Sequence, residues 1–297
     1  VMPTTSYSNM EIKKAIQEGT AYLDYYGVPL SDCEALYILM DLLEVSSRAK
    51  LFDLVGISET MLMEYRKRLA LRGQRCPTAY LNGAVSFLGL RLRVDSRVLI
   101  PRTETELLAE YIINYLLSHS EIQTFYDICC GSGCLGLAIK KSCPHVEVVL
   151  SDVCPQAVAV ANENAKSNGL DVKILLGDLS APYTRPADAF VCNPPYLSFN
   201  EIIHIDPEVR CYEPWKALVG GSTGLEFYQR IAQELPKIVT STGVGWLEIG
   251  SSQGESIKNI FSKHGIYGRL HQDLSGRDRI FFLEMDGRDP VSSGAYS

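Results

Sequence analysis

The chain has 297 residues, of which 46% are hydrophobic and 21% charged, and its mean hydropathy is +0.02. A chain of this length can bury a large core, which excludes a small scaffold held together by disulfides or metals. The net charge is −7 and the isoelectric point about 5.4. Both values disfavour a protein whose affinity comes from neutralising many phosphates.

Cysteine usage and hydropathy predict the compartment. The nine cysteines form no C-x-x-C pair, which argues against a disulfide framework and a zinc site. Cys129, Cys130 and Cys134 come closest to a metal cluster, but buried small hydrophobic residues are the better interpretation. No apolar run is long enough to cross a bilayer, and the polar stretch 1–10 lacks the apolar core of a secretory signal. We expect a cytoplasmic protein with no metal and no membrane association.

The first part of the chain has a helical pattern. Apolar residues recur at helical spacing from residue 11 to about 75, which predicts a small helical domain over residues 1–76. Ser31, three residues before Glu34 and just ahead of an apolar run, has the capping-box pattern of a helix start. Alternating apolar residues then predict two short strands near residues 84–94, and hence a β-hairpin linker over residues 77–103.

Strands alternate with helices in the rest of the chain, which predicts an α/β domain over residues 104–286. Helices are predicted over 104–117 and 155–167, the second beginning with proline and ending at Asn-Gly. The predicted strands are 125–128, 146–150, 172–176, 189–192, 244–249, 267–270 and 280–285. Residues 287–297 are rich in Gly, Ser, Asp and Pro and are predicted to form a disordered tail.

Positive charge is concentrated in one segment, which begins at Arg66 and ends at Arg102 and contains one acidic residue, Asp95. Its basic residues are Arg66, Lys67, Arg68, Arg72, Arg75, Arg91, Arg93, Arg97 and Arg102. One interpretation is a set of solvated faces, and the other is a basic surface for an acidic partner or RNA. The second interpretation predicts that reversing Arg66, Lys67, Arg68 and Arg72 to Glu weakens partner recognition.

A glycine-rich turn follows the first strand of the α/β domain. The sequence Asp127-Ile-Cys-Cys-Gly-Ser-Gly133 ends a strand and opens a helix, so backbone can pass close to a ligand. Neither G-x-G-x-x-G nor G-x-x-x-x-G-K-[ST] is present, which disfavours a dinucleotide or ATP site. The predicted cofactor-binding residues of this turn are Asp127, Cys129, Cys130, Gly131, Ser132 and Gly133.

Acidic residues end the next two strands. Asp152 can accept hydrogen bonds from both hydroxyls of a ribose, Asp178 can accept one from an adenine amino group, and Leu179 can cover the ring. Each acid alone is more often a helix cap or turn residue. Together, at successive strand ends beside the glycine turn, they predict a nucleoside site in a common crevice.

The fourth strand runs directly into Asn193-Pro194-Pro195-Tyr196. Consecutive prolines restrict the backbone and leave carbonyl oxygens free to accept hydrogen bonds. An amide or aromatic NH2 group is a poor nucleophile. The Asn193 side-chain oxygen and the Pro194 carbonyl can each accept a hydrogen bond from one of its N–H groups. Tyr196 can pack over the flat group. Asn193 is also expected to contact the cofactor. The alternative is an Asn-Pro turn with a buried tyrosine.

Several separate blocks of the chain match one family pattern. They are Pro77 to Gly83 with Phe87-Leu-Gly89, Val98 to Glu106, Asp127 to Gly133, Asn193 to Tyr196, Tyr212 to Leu225, and Asp273 to Arg279. In these blocks the chain resembles the HemK/PrmC class of protein-(glutamine-N5) methyltransferases. The N-P-P-Y block alone also fits amino methyltransferases of DNA adenine or RNA guanine, but the other blocks are more specific.

This resemblance implies a class I (Rossmann-like) S-adenosylmethionine-dependent methyltransferase sheet of seven strands, largely parallel with one antiparallel strand near the C-terminal edge. It implies S-adenosylmethionine as cofactor, S-adenosylhomocysteine as product, and the glutamine of the Gly-Gly-Gln loop of peptide chain release factors as acceptor. The N-terminal domain would recognise that substrate. We expect a monomer that needs no direct nucleic-acid contact.

The chain departs from the family pattern at two positions, and two other functions stay open. Cys129 stands where the family usually has glycine, so the turn must tolerate a side chain there, and Thr103 replaces a proline. The first alternative function is an amino methyltransferase of DNA or RNA, with Tyr196 stacked on a flipped base. The second is a non-catalytic module that binds the cofactor or a translation partner.

Overall fold

The computed structural model describes residues 9–54 and 56–286. The described residues form two compact units. Unit 1 comprises residues up to 84 together with 206–212, and unit 2 comprises residues 85–205 and those from 213 onward. The predicted tail over residues 287–297 lies outside the described residues.

Unit 1 is helical. Its elements are α1 (Asn9–Tyr25), α2 (Ser31–Leu42), α3 (Arg48–Phe52), α4 (Glu59–Gly73), α5 (Thr78–Asn82) and, from later in the chain, α9 (Pro207–Tyr212). Apolar side chains of α1, α2 and α4 form its core, including Leu23, Leu39 and Leu69. Tyr65 is buried with them and donates its hydroxyl to the Ala35 carbonyl at 2.9 Å, so its polar atom is satisfied inside the core.

The predicted capping box at Ser31 is wrong. Helix α2 begins at Ser31, and Leu30 precedes it as N-cap with a φ of 51° and no side-chain cap. The Ser31 hydroxyl donates instead to Asp24, at 2.5 Å. Glu34 contacts the Arg72 guanidinium from the neighbouring helix at 3.2 Å. Tertiary partners therefore use both side chains that a capping box requires for the helix end.

Helix α9 explains why residues 206–212 belong to unit 1. The Glu208 carboxylate pairs with Arg72 at 3.0 Å and with Arg75 at 2.9 Å, and the Tyr212 hydroxyl donates to the Gln74 carbonyl at 2.7 Å. The predicted continuous domain over residues 104–286 is thus interrupted. The linker predicted over residues 77–103 is divided as well, because α5 belongs to unit 1 and most of the hairpin to unit 2.

Unit 2 alternates strands and helices as predicted. Its strands are β1 (Ala84–Phe87), β2 (Leu90–Arg93), β3 (Thr124–Ile128), β4 (Glu147–Asp152), β5 (Lys173–Leu176), β6 (Ala187–Cys192), β7 (Leu197–Ser198), β8 (Val219–Gly221), β9 (Val239–Glu248), β10 (Tyr267–Gln272) and β11 (Asp278–Glu284). Its helices are α6 (Thr103–Ser118), α7 (Cys134–Ser142), α8 (Pro155–Ser167), α10 (Glu226–Glu234) and α11 (Gly254–Ser262).

The main sheet has seven strands in the order β10-β11-β9-β6-β3-β4-β5. Strand β11 runs antiparallel to both of its neighbours, whereas the pairs from β9 to β5 are parallel. The predicted class I sheet, largely parallel with one antiparallel strand near the C-terminal edge, is confirmed. Helices cover both faces, and buried side chains such as Phe125, Trp246 and Phe281 fill the two cores.

The strand order places a ligand crevice at one edge of the sheet. The chain proceeds from β3 to β4 and β5 on one side and returns to β6 on the other side of β3. Such a reversal leaves an opening between the carboxyl ends of β3 and β6, where ligands of open α/β sheets bind. Within the residues described, no helix combines the length and apolar character needed to cross a bilayer.

Candidate active site

The turn after β3 has left-handed backbone at three positions. The φ angles of Cys129, Gly131 and Gly133 are 61°, 54° and 82°, and Gly133 is the N-cap of α7. Cys129 adopts a conformation that costs a residue with a side chain about 1 kcal/mol or more. Strained backbone of this kind is typical of ligand sites, where the surrounding structure maintains it.

Asp127 supports this turn from below. It is fully buried, and its Oδ2 accepts a hydrogen bond from the Gly136 amide at 2.7 Å. A side chain at residue 136 would collide with this carboxyl and with Leu150, so glycine is required for the contact. Burial, opposed by the Gly136 amide and assisted by the charge of Asp152, raises the pKa of Asp127 to about 7.

Asp152 is the last residue of β4 and is hydrogen-bonded to the glycine turn. Its Oδ2 accepts from the Gly131 amide at 2.9 Å and its Oδ1 from the Cys154 amide at 2.8 Å. Burial raises the pKa of this carboxyl. Each carboxylate oxygen has two acceptor sites, so Asp152 retains the capacity to accept a ribose hydroxyl.

The third acidic position differs from the first two in exposure. Asp178 is about half exposed and pairs with Arg230 at 2.9 Å. Leu179, which follows it, has a φ of 44° and is buried in one of the two cores. Strands β3, β4 and β5 are neighbours, so their carboxyl ends bring Asp127, Asp152 and this pair of residues to one edge of the sheet.

The N-P-P-Y segment begins where β6 ends. Cys192 is the last residue of β6 and lies opposite Ile128 of β3, so Asn193 follows directly beside the glycine turn. Asn193 and Tyr196 are half-buried, and the two prolines between them are buried. Burial raises the pKa of Tyr196 to about 12, so its hydroxyl stays protonated at neutral pH.

At two glycines to which the sequence assigned no role, neighbouring backbone packs closely against this segment. A Cβ at Gly220 would lie less than 3.0 Å from the Pro195 carbonyl oxygen, and one at Gly224 less than 3.0 Å from that of Tyr196. The Leu197 amide also donates to Leu218 at 2.9 Å, where β7 and β8 pair in parallel. Both glycines lie in the block Tyr212 to Leu225, which matches the family pattern. That match was the signal in the sequence from which a role could have been inferred.

Asn164 on α8 is a second group that the sequence analysis missed. It is fully buried, and its amide nitrogen donates to the carbonyls of Ser132 at 2.9 Å and Arg93 at 3.1 Å. Its oxygen accepts from the Arg93 amide at 2.6 Å. Asn164 therefore ties the glycine turn to strand β2 of the hairpin.

The block from Val98 to Glu106 has a structural role. Glu213 is 3% exposed and accepts from the Ile100 amide at 3.0 Å and from Arg102 at 2.5 Å. Thr105 donates its hydroxyl to buried Glu248 at 2.7 Å, and burial raises the pKa of that carboxyl. These contacts join the start of α6 to β9 and to the segment after N-P-P-Y.

The hypothesis of a basic surface is not supported by the structure, because acids neutralise most of the basic segment. The pairs are Arg66–Glu18, Lys67–Glu64, Arg68–Asp41, Arg72–Glu34, Arg72–Glu208, Arg75–Glu208, Arg93–Glu163, Arg97–Asp95 and Arg102–Glu213. Arg72 is only 4% exposed, so its reversal to Glu would damage unit 1 itself.

The cysteines are free thiols. Cys130 and Cys134 are buried in the core beneath the turn, and Cys129 is half-buried. Across the described ranges, no group of three or more His, Cys, Asp or Glu side chains is arranged to hold a metal ion.

The sheet order, the glycine turn after β3 and the N-P-P-Y segment after β6 define a class I methyltransferase. The sequence model of the Methyltransferase small domain family matches residues 104–204. The chain belongs to the release factor glutamine methyltransferase family: it is 57% identical to the release factor glutamine methyltransferase of Chlamydia trachomatis serovar D, over 96% of this chain and 98% of that protein.

A more distant relative agrees with this assignment. The release factor glutamine methyltransferase of Geobacter sulfurreducens is 33% identical over 91% of this chain and 95% of its own. Among solved structures, a methyltransferase from Pyrococcus furiosus aligns with a TM-score of 0.50, 15% identity, and coverage of 74% of this chain and 97% of its own. The hMettl16 catalytic domain in complex with an RNA hairpin aligns with a TM-score of 0.53 and 16% identity, and the alignment covers 75% of this chain and 83% of its own. At these identities the structural likeness concerns the fold alone.

Proposed function

We propose that this protein transfers the methyl group of S-adenosylmethionine to the side-chain amide nitrogen of the glutamine in the Gly-Gly-Gln loop of peptide chain release factors. The observation that carries the proposal is the position of Asn193 to Tyr196, beside the glycine turn and with its backbone held by Gly220 and Gly224. We also propose that unit 1 recognises the release factor and that the enzyme acts as a monomer.

Backbone geometry and charge at the crevice support the proposed cofactor. The left-handed turn brings backbone close to a ligand, and Asp152 lies where a ribose diol is bound in related folds. Two carboxyls with raised pKa values, Asp127 and Asp152, lie at this edge of the sheet. A cation compensates such buried carboxyls, and the cofactor, when bound, supplies a cationic sulfonium that carries the transferable methyl group.

At the acceptor end, the chain holds a planar amide through its two N–H bonds. The Asn193 side-chain oxygen and the Pro194 carbonyl accept hydrogen bonds from the two N–H groups. These hydrogen bonds shift electron density to the amide nitrogen and orient that nitrogen toward the methyl group. Carbonyl dipoles then stabilise the positive charge that develops on that nitrogen. A phenol with a pKa of about 12 is not a base at neutral pH, so we assign Tyr196 to packing against the amide plane and not to proton transfer. The proton leaves to water after in-line transfer.

We expect Asp152→Ala to weaken binding of S-adenosylmethionine by about 1 to 3 kcal/mol, because the ribose hydroxyls lose their acceptor and the Gly131 amide loses its support. Isothermal titration calorimetry measures this directly. Asp171→Ala, which removes an exposed carboxylate ahead of β5, serves as the control. Affinity equal to that of the control would leave Asp152 with a structural role only.

The pKa of Asp127 predicts how cofactor binding depends on pH. A cationic ligand favours the ionised carboxyl, so below the free-protein pKa of about 7 binding must displace a proton. Affinity for S-adenosylmethionine should therefore rise with pH up to about 7 and level off above it. Asp127→Asn should flatten the profile, and S-adenosylhomocysteine, which lacks the sulfonium charge, should show a smaller slope. A wild-type affinity that is constant or falls over this range would contradict the electrostatic role.

A transfer assay separates the proposed function from its rival. Labelled S-adenosylmethionine is incubated with the protein and either an intact release factor, the same factor with its loop glutamine changed to alanine, or DNA and RNA oligonucleotides. We expect label in the intact factor only. Label in an oligonucleotide would favour the amino methyltransferase of nucleic acids, and no transfer to any acceptor would favour a non-catalytic binding module.

A further inference from the structure

The side chain of Gln253 holds the N-P-P-Y segment at its C-terminal end. Gln253 lies just before α11 and is 9% exposed. Its amide nitrogen donates to the Tyr196 carbonyl at 2.9 Å and to the Gly224 carbonyl at 3.3 Å. Its oxygen accepts from the Gly250 amide at 3.0 Å. The primary amide thus uses both of its N–H groups and its oxygen on backbone partners.

Glycines on both sides leave room for these contacts. A Cβ at Gly250 would lie 2.8 Å from the Gln253 side-chain oxygen, and one at Gly224 would lie 3.0 Å from its nitrogen. A side chain at either position would therefore require the Gln253 amide to shift from its three backbone partners. The close packing of two backbone segments around one buried amide identifies a built contact rather than a surface side chain that happens to reach the loop.

The backbone of Gln253 is hydrogen-bonded at the start of a helix. Gln253 is the N-cap residue of α11, and its carbonyl accepts the first helical bond, from the Ile257 amide at 2.9 Å. Its side chain makes no cap bond to the helix and is directed to the loop instead. The next residue is Gly254, where a Cβ would meet Asp278 and Leu270, so the helix end is itself packed against the sheet.

We propose that Gln253 is a positioning residue for methyl transfer. It orients the peptide plane after Tyr196, and through the stiff diproline it sets the direction of the Pro194 carbonyl and the Asn193 side chain. This inference rests on the proposed function, in which those two oxygens hold the acceptor amide. Misplacement by a fraction of an ångström reduces turnover without weakening cofactor binding, because the Gly turn and Asp152 lie outside the contact.

Two variants of Gln253 test this role. Gln253→Met keeps the approximate length of the side chain and removes its polar atoms, and Gln253→Glu keeps its shape and removes the N–H donors. We expect both to lower kcat on the release factor by about tenfold or more, with the dissociation constant of S-adenosylmethionine changed less than about twofold. Gln233→Met, at an exposed glutamine on α10, is the matched control and should behave as the wild type.

Two further measurements separate loss of this local contact from general damage to the fold. The Gln253→Glu variant should recover kcat relative to the wild type as the pH is lowered, because a protonated carboxyl can donate to the Tyr196 carbonyl. Hydrogen exchange of the Leu197 amide should accelerate in Gln253→Met. A kcat within about twofold of the wild type in both variants would overturn the inference. Absence of transfer by the wild type would refute the proposed function instead, and the Leu197 exchange would still decide whether Gln253 holds the loop.

Discussion

Replacing Asn193 by Ala should reduce turnover on the release factor by roughly 10²- to 10³-fold, as loss of a single oriented polar group at a developing charge often does. One of the two acceptors that hold the amide would be lost, and the remaining Pro194 carbonyl cannot orient it alone. Cofactor binding should largely survive the loss of the contact expected from Asn193, because the glycine turn and Asp152 are unaffected. Single-turnover methylation together with calorimetry measures both quantities.

Asn200→Ala is the matched control for this variant. Asn200 lies seven residues further along the same segment and is exposed, so its amide can be removed without touching the crevice. Wild-type turnover in the control and loss in Asn193→Ala would assign the effect to the Asn193 side chain. Near-normal turnover in Asn193→Ala would mean that another group holds the acceptor.

Gly224→Ala should also reduce turnover by about 10²-fold, for a steric reason. The φ of Gly224 is 76°, and a Cβ there would lie less than 3.0 Å from the Tyr196 carbonyl oxygen. The segment must therefore move away from Gly224, which displaces Asn193 and Pro194 relative to the crevice. The measurement is kcat together with the melting temperature.

Gly265→Ala separates the steric effect from the backbone strain. Gly265 has a φ of 71°, close to that of Gly224, but no atom lies within 4 Å of a Cβ built there. Both variants carry a similar cost of about 1 kcal/mol for the left-handed conformation. Turnover should fall only in Gly224→Ala. Equal turnover in the two variants would show that the clash is relieved without moving the N-P-P-Y segment.

Local patterns predicted the seven strands of the sheet and the helices α6 and α8, whereas α10 and α11 were not predicted. The predicted helix over 155–167 coincides with α8 because proline at its start and Asn-Gly at its end are local signals. The apolar run at 244–249 identified β9, but the strand begins earlier, at Val239. The residues that follow Val239 are partly exposed and polar, so they do not continue the apolar run. Apolar residues in the sequence identify the buried part of a strand. The ends of β9 depend instead on its pairing with β6.

Contacts between distant residues were not predictable in this way. The charge excess at Arg72 disappears because Glu208, far along the chain, reaches it in the fold. The bonds of Gln253 to Tyr196 and Gly224 likewise span 57 and 29 residues and leave no periodic trace in the sequence. For Asp152, the strand-end position was predictable, but the support it gives to Gly131 required the geometry of the turn.

Fragment mass spectrometry of a methylated release factor shows which residue receives the methyl group. The factor is incubated with the protein and S-adenosylmethionine and digested, and the modified residue is located from the fragment masses. We expect one added methyl group, on the side-chain nitrogen of the glutamine in the Gly-Gly-Gln loop. We expect none over the same incubation when the Asn193→Ala variant replaces the wild type. A methyl group on another residue of the factor, or an unmodified loop under conditions in which the cofactor binds, would contradict the proposed function.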